Sequence, residues 1–192
     1  TCFAKRENPE EELEVSLRNQ EGKTYAHAVF RVKADWTKTE LSLVSPVTDT
    51  CARLTITIKG KSSAALDFIS LFPADTYKGR RNGLRKDLAQ MLEDMHPKFL
   101  RFPGGCLVHD GSLDPEDRNS MYRWKNTIGP LWERPARRNN WGYNQTLGLG
   151  FYEYFQLCED VGAKPIPVLP GGYDPHHQRI APLEELESWV AD

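Results

Sequence analysis

The sequence predicts an α+β chain in two parts, in which a β-sandwich segment is followed by parallel strands joined by crossover helices. In the first third of the 192 residues, apolar and polar side chains alternate with period two, as in half-buried strands. In the remainder, segments with helical spacing alternate with short apolar strands. Two of those strands end in the same turn, Pro-Gly-Gly, at residues 103–105 and 170–172. We therefore divide the chain into residues 1–73 and 74–192.

Five strands are predicted in the first part, separated by turn residues such as Glu21-Gly22 and Lys59-Gly60. Several short strands at this spacing favour an antiparallel, jelly-roll-like β-sandwich. Five strands are few for a sandwich, which indicates an incomplete segment. The predicted strands cover residues 13–17, 28–32, 39–43, 53–58 and 65–69.

The second part is predicted to contain three helices and two strands. Asn82 is a candidate N-cap for the first helix, and Gly162 suits a left-handed C-cap that ends the second. Pro182 fits the first position of the third helix. The helices are expected from near Gly83 to before Pro97, over about residues 147–161 and from Pro182 onward, and the strands over residues 99–102 and 164–169.

This alternation of helix and strand is typical of parallel strands with crossover helices. Both Pro-Gly-Gly turns then lie at the carboxyl ends of their strands, on one edge of the sheet. A complete (β/α)8 barrel, or TIM barrel, needs roughly 200 residues or more, which is longer than the second part. The residues therefore predict either the first βα units of a TIM barrel or a smaller open sheet. The long connection over residues 107–144 has a length that is usually functional.

Composition and charge argue against several classes of function. Hydrophobic residues make up 39% and charged residues 27% of the chain, and the formal net charge is −2, so nothing favours nucleic acid or an anionic membrane surface as a partner. No apolar run approaches the roughly 18 residues of a membrane span. The cysteines stand singly, without zinc or disulfide spacing, so we expect free thiols. They are Cys2, Cys51, Cys106 and Cys158, the last expected in a helix core.

Arg101 lies near the end of the first predicted parallel strand, where a buried charge is unfavourable unless it has a role. Pro103 ends the strand, and the two glycines that follow let the chain turn close to a ligand. Two interpretations remain open from these residues alone. Arg101 either holds a polar ligand at the mouth of a sheet or barrel, or pairs with a carboxylate elsewhere in the fold.

Five motifs of the chain are residues 71–80 (LFPADTYKGR), 83–88 (GLRKDL), 97–106 (PKFLRFPGGC), 122–130 (YRWKNTIGP) and 148–155 (GLGFYEYF). In these motifs and in their order, the chain resembles glycoside hydrolase family 51, the α-L-arabinofuranosidases. The likeness covers nearly the whole chain. It is greatest to the plant and gut-bacterial branch, in which a carbohydrate-binding-module-like sandwich precedes the Arg-Phe-Pro-Gly-Gly strand of a TIM barrel.

The resemblance implies an enzyme that removes α-L-arabinofuranosyl residues from arabinan or arabinoxylan with retention of configuration. Such chemistry needs two carboxyl groups roughly 5 Å apart. In the family both are glutamates on later barrel strands, and the acid/base follows an asparagine. Since the chain has no such Asn-Glu pair, we expect no catalytic residue in it and both glutamates beyond Asp192. The segment alone is expected to be inactive.

The resemblance also implies that three residues of this chain form part of a sugar pocket. Arg101 matches the family's strand-end arginine, whose fork of donors suits hydroxyls or a carboxylate. Cys106 stands where relatives have Asn or Cys near the sugar, and a thiol is the weaker hydrogen-bonding group. Trp141 matches a loop aromatic that can lie against a sugar face, although a lone loop tryptophan is about as often simple packing. We expect no cofactor.

Other polar groups fit structural roles better than functional ones. The pairs His109-Asp110 and His176-His177 do not predict a metal site, because adjacent histidines cannot face one way on a strand and no third ligand is suitably spaced. Glu133 is expected in an ion-pair cluster with neighbouring arginines, Arg134 among them.

Two classes of function remain at this point. The first is an incomplete glycosidase, and the second is a non-catalytic carbohydrate-binding protein in which the sandwich binds the sugar. In both, the partner is an arabinose-containing polysaccharide or oligosaccharide. We expect a secreted or periplasmic protein, with no signal peptide in this chain. The open edge of a partial barrel would favour a homo-oligomer.

Overall fold

A computed structural model describes residues 1–7, 12–59, 63–109, 122–175 and 178–191. The chain forms two compact units, Thr1–Phe72 and Pro73–Asp192. The first unit is built from strands and the second contains helices beside a parallel strand pair, so the predicted α+β class is confirmed. The assignments of residues 1–73 to a jelly-roll-like sandwich and of residues 74–192 to the start of a TIM barrel stay predictions.

The first unit holds two antiparallel sheets of three strands each. The strands are β1 (Cys2–Arg6), β2 (Glu12–Arg18), β3 (Thr24–Arg31), β4 (Thr37–Thr39), β5 (Arg53–Ile58) and β6 (Ala64–Asp67). In one sheet β2 lies between β3 and β5, and in the other β1 lies between β4 and β6. Both sheets contribute side chains to one apolar cluster around the buried residues Ala4, Leu13 and Val32.

The period-two pattern located most of these strands but failed at two places. Strand β1 was not predicted, because its alternation covers only five residues and ends in Lys5-Arg6. The prediction of a strand over residues 39–43 was wrong, since β4 ends at Thr39. Thr39 is paired with Cys2, the first residue of β1, so the ladder that holds β4 stops there.

The second unit is centred on the parallel pair β7 (Phe99–Phe102) and β10 (Lys164–Pro167), which agrees with the prediction except that β10 ends two residues before the predicted end at residue 169. Helices α1 (Lys86–Asp94) and α3 (Phe151–Val161) pack against one face of this pair. Leu100 contacts the cluster that includes residues of both helices. The fully buried Phe102 ring lies 4.8 Å from the Tyr154 ring and 5.5 Å from the Phe151 ring of α3.

The predicted helix starts in this unit needed correction, whereas one helix end was confirmed. Helix α1 begins at Lys86, and Asn82 does not cap it but has a positive φ of 51°. Helix α3 begins at Phe151 rather than near residue 147. Gly162 ends α3 in the left-handed conformation, with φ 72° and ψ 25°, as its sequence position predicts. Helix α4 covers Leu183–Ala191 and follows Pro182 directly.

The long connection between β7 and α3 contains several short elements. After the turn at the end of β7 comes the four-residue helix α2 (Gly105–Val108), and two 3-10 helices follow at Trp124–Thr127 and Leu131–Glu133. The strands β8 (Arg137–Arg138) and β9 (Asn144–Gln145) then form a small antiparallel hairpin. Beyond β10, the strands β11 (Tyr173–Asp174) and β12 (Arg179–Ile180) form another. Within the described ranges, no helix is long and apolar enough to cross a membrane.

Arg134 holds this connection to the start of α3. Its buried guanidinium donates to both carboxylate oxygens of Glu153, at 2.7 and 3.0 Å, and to the carbonyl oxygens of Gly129 and Leu147, each at 2.8 Å. Glu153 in turn accepts a hydrogen bond from the backbone N–H of Gly150, at 2.9 Å. Arg134 therefore pairs with Glu153, nineteen residues further along the chain, and the ion-pair cluster around Glu133 stays a prediction.

Candidate functional site

Arg101 lies at the carboxyl end of β7, on the face of the strand pair opposite the helices. Its neighbours Leu100 and Phe102 point towards α1 and α3, whereas the Arg101 side chain is exposed. The Nη2 atom lies 3.7 Å from the position that a Cβ atom would take at Gly105, so the guanidinium reaches over the Pro-Gly-Gly turn. Among the described residues none forms a hydrogen bond or ion pair with it. The guanidinium can therefore offer donors to a ligand.

Cys106 follows this turn as the second residue of α2 and carries an exposed free thiol. Its backbone carbonyl oxygen accepts a hydrogen bond from the Asn140 side-chain amide, at 3.4 Å. Asn140 belongs to the five residues 139–143 that connect β8 and β9, of which residues 140–142 form the tip of the hairpin. This contact joins the hairpin tip to the turn at the end of β7. The other three cysteines are also free, and Cys158 is buried on α3 as predicted.

Trp141 lies in the hairpin tip, and 53% of its surface is exposed. Its ring is offset and nearly parallel to that of Tyr143, which is 54% exposed, with the centroids 6.2 Å apart and the planes inclined by 16°. Asn140 precedes Trp141 and contacts Cys106, while Gly105 precedes Cys106 and lies beneath Arg101. A chain of contacts therefore connects the three predicted residues within one unit.

Sequence reasoning missed Asn139, Asn140 and Tyr143, which shape or extend this site. The missed signal is the short run Asn-Asn-Trp-Gly-Tyr. Gly142 has a positive φ of 85°, a conformation that glycine adopts readily in tight turns. Local patterning does not predict a hairpin at this run, because the strands on either side have only two residues each.

The apolar cluster around Phe102 includes two tyrosines of this unit. Tyr122 is buried and Tyr154 is partly buried, and desolvation raises the pKa of each phenol above its ordinary value. Arg137 of β8 is buried nearby and opposes the shift at Tyr122. Within the described residues, no three His, Cys, Asp or Glu side chains lie close enough to hold a metal ion. Asp110, His176 and His177, considered above as metal ligands, lie outside the described residues.

The fold and this site define an α+β protein with a candidate ligand site at the carboxyl end of a parallel strand. The family described as the alpha-L-arabinofuranosidase 1 domain matches residues 91–192. The chain belongs to this family, and the predicted relationship to glycoside hydrolase family 51 is confirmed.

Individual relatives agree with this assignment. An extracellular exo-α-L-arabinofuranosidase of Streptomyces chartreusis is 44% identical over 164 residues, which cover 82% of this chain and 20% of the relative. α-L-Arabinofuranosidase 1 of Arabidopsis thaliana is 41% identical over 167 residues, which cover 84% of this chain and 24% of the relative. The structure of arabinose-bound MgGH51 α-L-arabinofuranosidase superposes on 99% of this chain with a TM-score of 0.87 and 30% identity.

The chain spans 20 to 24% of the length of the two curated relatives and 31% of the MgGH51 chain.

Proposed function

We propose that the protein carrying this chain is an α-L-arabinofuranosidase that removes α-L-arabinofuranosyl residues from arabinan- or arabinoxylan-type polysaccharides with retention of configuration. The observation that carries the proposal is the exposed Arg101 guanidinium at the end of β7, in a chain whose fold superposes on an arabinose-bound enzyme. The Streptomyces relative is named as extracellular, which supports a secreted or periplasmic location.

The position of Arg101 supports the assignment of residues 74–192 to the start of a TIM barrel. In such a barrel the helices cover the outside of the strands, and the active site lies at the carboxyl ends of the strands. Helices α1 and α3 pack on one face of β7 and β10, and Arg101 projects from the other face. In a closed barrel, Arg101 would therefore face the interior at the catalytic end.

The three predicted residues would then form part of the sugar pocket. Arg101 would donate hydrogen bonds to sugar hydroxyls or to a catalytic carboxylate, since a guanidinium is a donor only. Cys106 would lie beside the sugar, and Trp141 would place its ring against an apolar sugar face. We assign no catalytic glutamate to this chain. Glu153, which lies within the family motif at residues 148–155, binds Arg134 and the backbone N–H of Gly150 at the start of α3.

The first unit would be a carbohydrate-binding-module-like sandwich. The apolar cluster that its two antiparallel sheets share supports a two-sheet arrangement. A second candidate function, carbohydrate binding without catalysis, would use this unit. It is favoured by Trp36, an aromatic side chain that is about half exposed, whereas the hydroxyl of Tyr25 is bonded to Asp49.

Substitution of Arg101 tests the proposed activity. In the full-length protein, Arg101→Ala is expected to lower kcat/KM for arabinose release from arabinan by about 10- to 100-fold, because a hydrogen bond to a charged group contributes roughly 1.5–3 kcal/mol. The matched control is Arg85→Ala, which removes an exposed arginine paired with Asp87 and should leave the kinetics unchanged.

Two outcomes would contradict the proposal. Equal kinetics for the Arg101→Ala variant and the unsubstituted protein would remove Arg101 from the pocket. A full-length protein that releases no arabinose but is retarded in an arabinan gel would favour the carbohydrate-binding function. Trp36→Ala would then abolish the retardation.

A further inference from the structure

Hydrogen bonds of one buried residue, Asn139, stabilise the tip of the β8–β9 hairpin. Only 5% of this residue is exposed, although it lies at the start of a surface turn. Its Oδ1 atom accepts hydrogen bonds from the backbone N–H groups of Trp141, at 3.1 Å, and Tyr143, at 3.2 Å. Its backbone N–H donates to the carbonyl oxygen of Tyr143, and its carbonyl oxygen accepts from the N–H of Gly142, both at 3.0 Å.

These four hydrogen bonds fix the backbone on both sides of the two exposed aromatic rings. Trp141 and Tyr143 are two residues apart, and the same oxygen atom binds the N–H of each. Their rings are consequently presented side by side, nearly parallel and each about half exposed. The exposed Arg138 guanidinium lies next to them, with Nη2 3.7 Å from the position that a Cβ atom would take at Gly142.

We propose that Asn139 is a positioning residue that holds Trp141 and Tyr143 as a two-ring platform for a neutral sugar residue of the substrate. The proposal rests on the proposed function of Trp141 and extends it to Tyr143. Flat aromatic faces suit the C–H faces of a sugar, and Arg138 adds hydrogen-bond donors for its hydroxyls. Neither ring carries a charge, so contact with the C–H face of a sugar on this platform does not require a charged saccharide.

The acceptor oxygen of Asn139 is the part of the side chain on which the platform depends. The Nδ2 atom is buried and has no hydrogen-bond partner within the described ranges. Asn139→Asp keeps an oxygen at the Oδ1 position and loses no observed bond. Asn139→Leu keeps a similar volume but removes both side-chain hydrogen bonds. Comparison of the two variants separates the acceptor role from simple filling of space.

The experiment measures arabinose release from arabinan by the full-length protein, with KM and kcat determined separately. Asn139→Leu is expected to raise KM about tenfold with little change in kcat. The two hydrogen bonds that hold the backbone of Trp141 and Tyr143 are lost, so the rings are no longer fixed in the arrangement that binds the sugar. Asn139→Asp should restore KM to within about threefold of the unsubstituted value. Asn144→Ala is the matched control, since Asn144 is an exposed asparagine of the same hairpin.

Two further measurements make failure of this inference distinguishable from failure of the proposed function. The near-ultraviolet circular dichroism spectrum should change in Asn139→Leu and recover in Asn139→Asp, because it reports the packing of the two rings. Trp141→Ala should raise KM; an unchanged KM would overturn the proposed role of Trp141 itself. A raised KM in Trp141→Ala with an unchanged KM in Asn139→Leu would overturn the positioning role alone.

Tyr143→Ala keeps the inference testable if Asn139→Leu does not fold. This variant removes only an exposed ring and should raise KM as Trp141→Ala does. An unchanged KM in Tyr143→Ala would overturn the two-ring platform.

Discussion

Tyr122 combines a well-packed aromatic ring with a buried hydroxyl group for which the described residues supply no hydrogen bond. The side chain is 3% exposed, and its hydroxyl has no hydrogen-bond partner among the described residues. The ring itself packs in the cluster around Phe102 and lies 6.3 Å from the Phe151 ring. An unpartnered buried hydroxyl is unfavourable, whereas the aromatic ring contributes to the core.

Removal of this hydroxyl should therefore not destabilise the protein. We expect Tyr122→Phe to raise the free energy of unfolding by about 1 kcal/mol, measured by urea denaturation, because an unpartnered buried group is removed while the ring remains. Tyr77→Phe is the matched control. The hydroxyl of Tyr77 donates to the carbonyl oxygen of Asp160, at 3.3 Å, so its removal should be neutral or destabilising. A clear loss of stability in Tyr122→Phe would mean that the hydroxyl has a partner.

The same substitution has a defined effect on the pH dependence of stability. Burial raises the pKa of Tyr122 above its ordinary value of 10.0, so the folded state keeps a proton that the unfolded state releases. This contribution to stability is present below pH 10 and is lost as the pH rises further. Tyr122→Phe should lose less stability above pH 10 than the unsubstituted protein. Tyr77 and Tyr154 also have raised pKa values, so part of the alkaline loss should remain.

At the scale of elements, the start of α3 depends on a segment that is distant in the sequence. The Arg134 guanidinium and the Glu153 carboxylate form a two-point ion pair, and Arg134 also donates to three carbonyl oxygens. Thr127 adds another link, since its hydroxyl oxygen accepts from the N–H of Phe151 at 2.9 Å. The long connection is thereby fixed to the first turn of the helix.

Loss of Arg134 should separate the connection from the helix. We expect Arg134→Met to lower the free energy of unfolding by about 3 kcal/mol, because it leaves a partly buried carboxylate and several carbonyl oxygens without their donor. Arg85→Met is the matched control, since its pair with Asp87 is exposed and should contribute little. Equal urea midpoints for the two variants would show that the Arg134 cluster does not stabilise the fold.

These long-range contacts explain which elements the sequence could predict. The parallel strands β7 and β10 were predictable because local residues define them, namely apolar runs that end in Pro-Gly-Gly. Gly162 was predictable as a cap for the same reason. The start of α3 was not, since it is set by Thr127 and Arg134, which lie outside any local window.

The candidate site also contains one feature that local sequence predicts and others that it does not. The strand-end position of Arg101 follows from local residues, and the structure gives the exposure and direction of its side chain. The hairpin tip beside it was not predicted, because Asn139 shapes it through a buried side-chain oxygen whose partners depend on the turn geometry. The pocket roles of Arg101, Cys106 and Trp141 stay predictions until they are measured.

At the scale of the whole molecule, the described residues leave much apolar surface uncovered in the second unit. Helix α1 and its C-cap residue expose four large apolar side chains, Leu88, Met91, Leu92 and Met95. The parallel strand pair exposes Phe99 and Ile166 on the face that Arg101 shares. Within the described residues, neither β7 nor β10 has a second neighbouring strand. Contiguous apolar patches and open strand edges of this kind promote association.

The 192-residue chain produced by itself is therefore expected to associate. Light scattering coupled to size-exclusion chromatography should give a mass above 21.9 kDa that rises with concentration, and the dye ANS should bind and fluoresce. Met91→Lys combined with Met95→Glu should lower both signals, because it places charges on the exposed apolar surface at the end of α1 and both new residues are good helix formers. Val44→Lys, which alters an exposed apolar residue of the first unit, should leave both signals unchanged. A monomeric chain without dye binding at every concentration would show that these surfaces do not drive association.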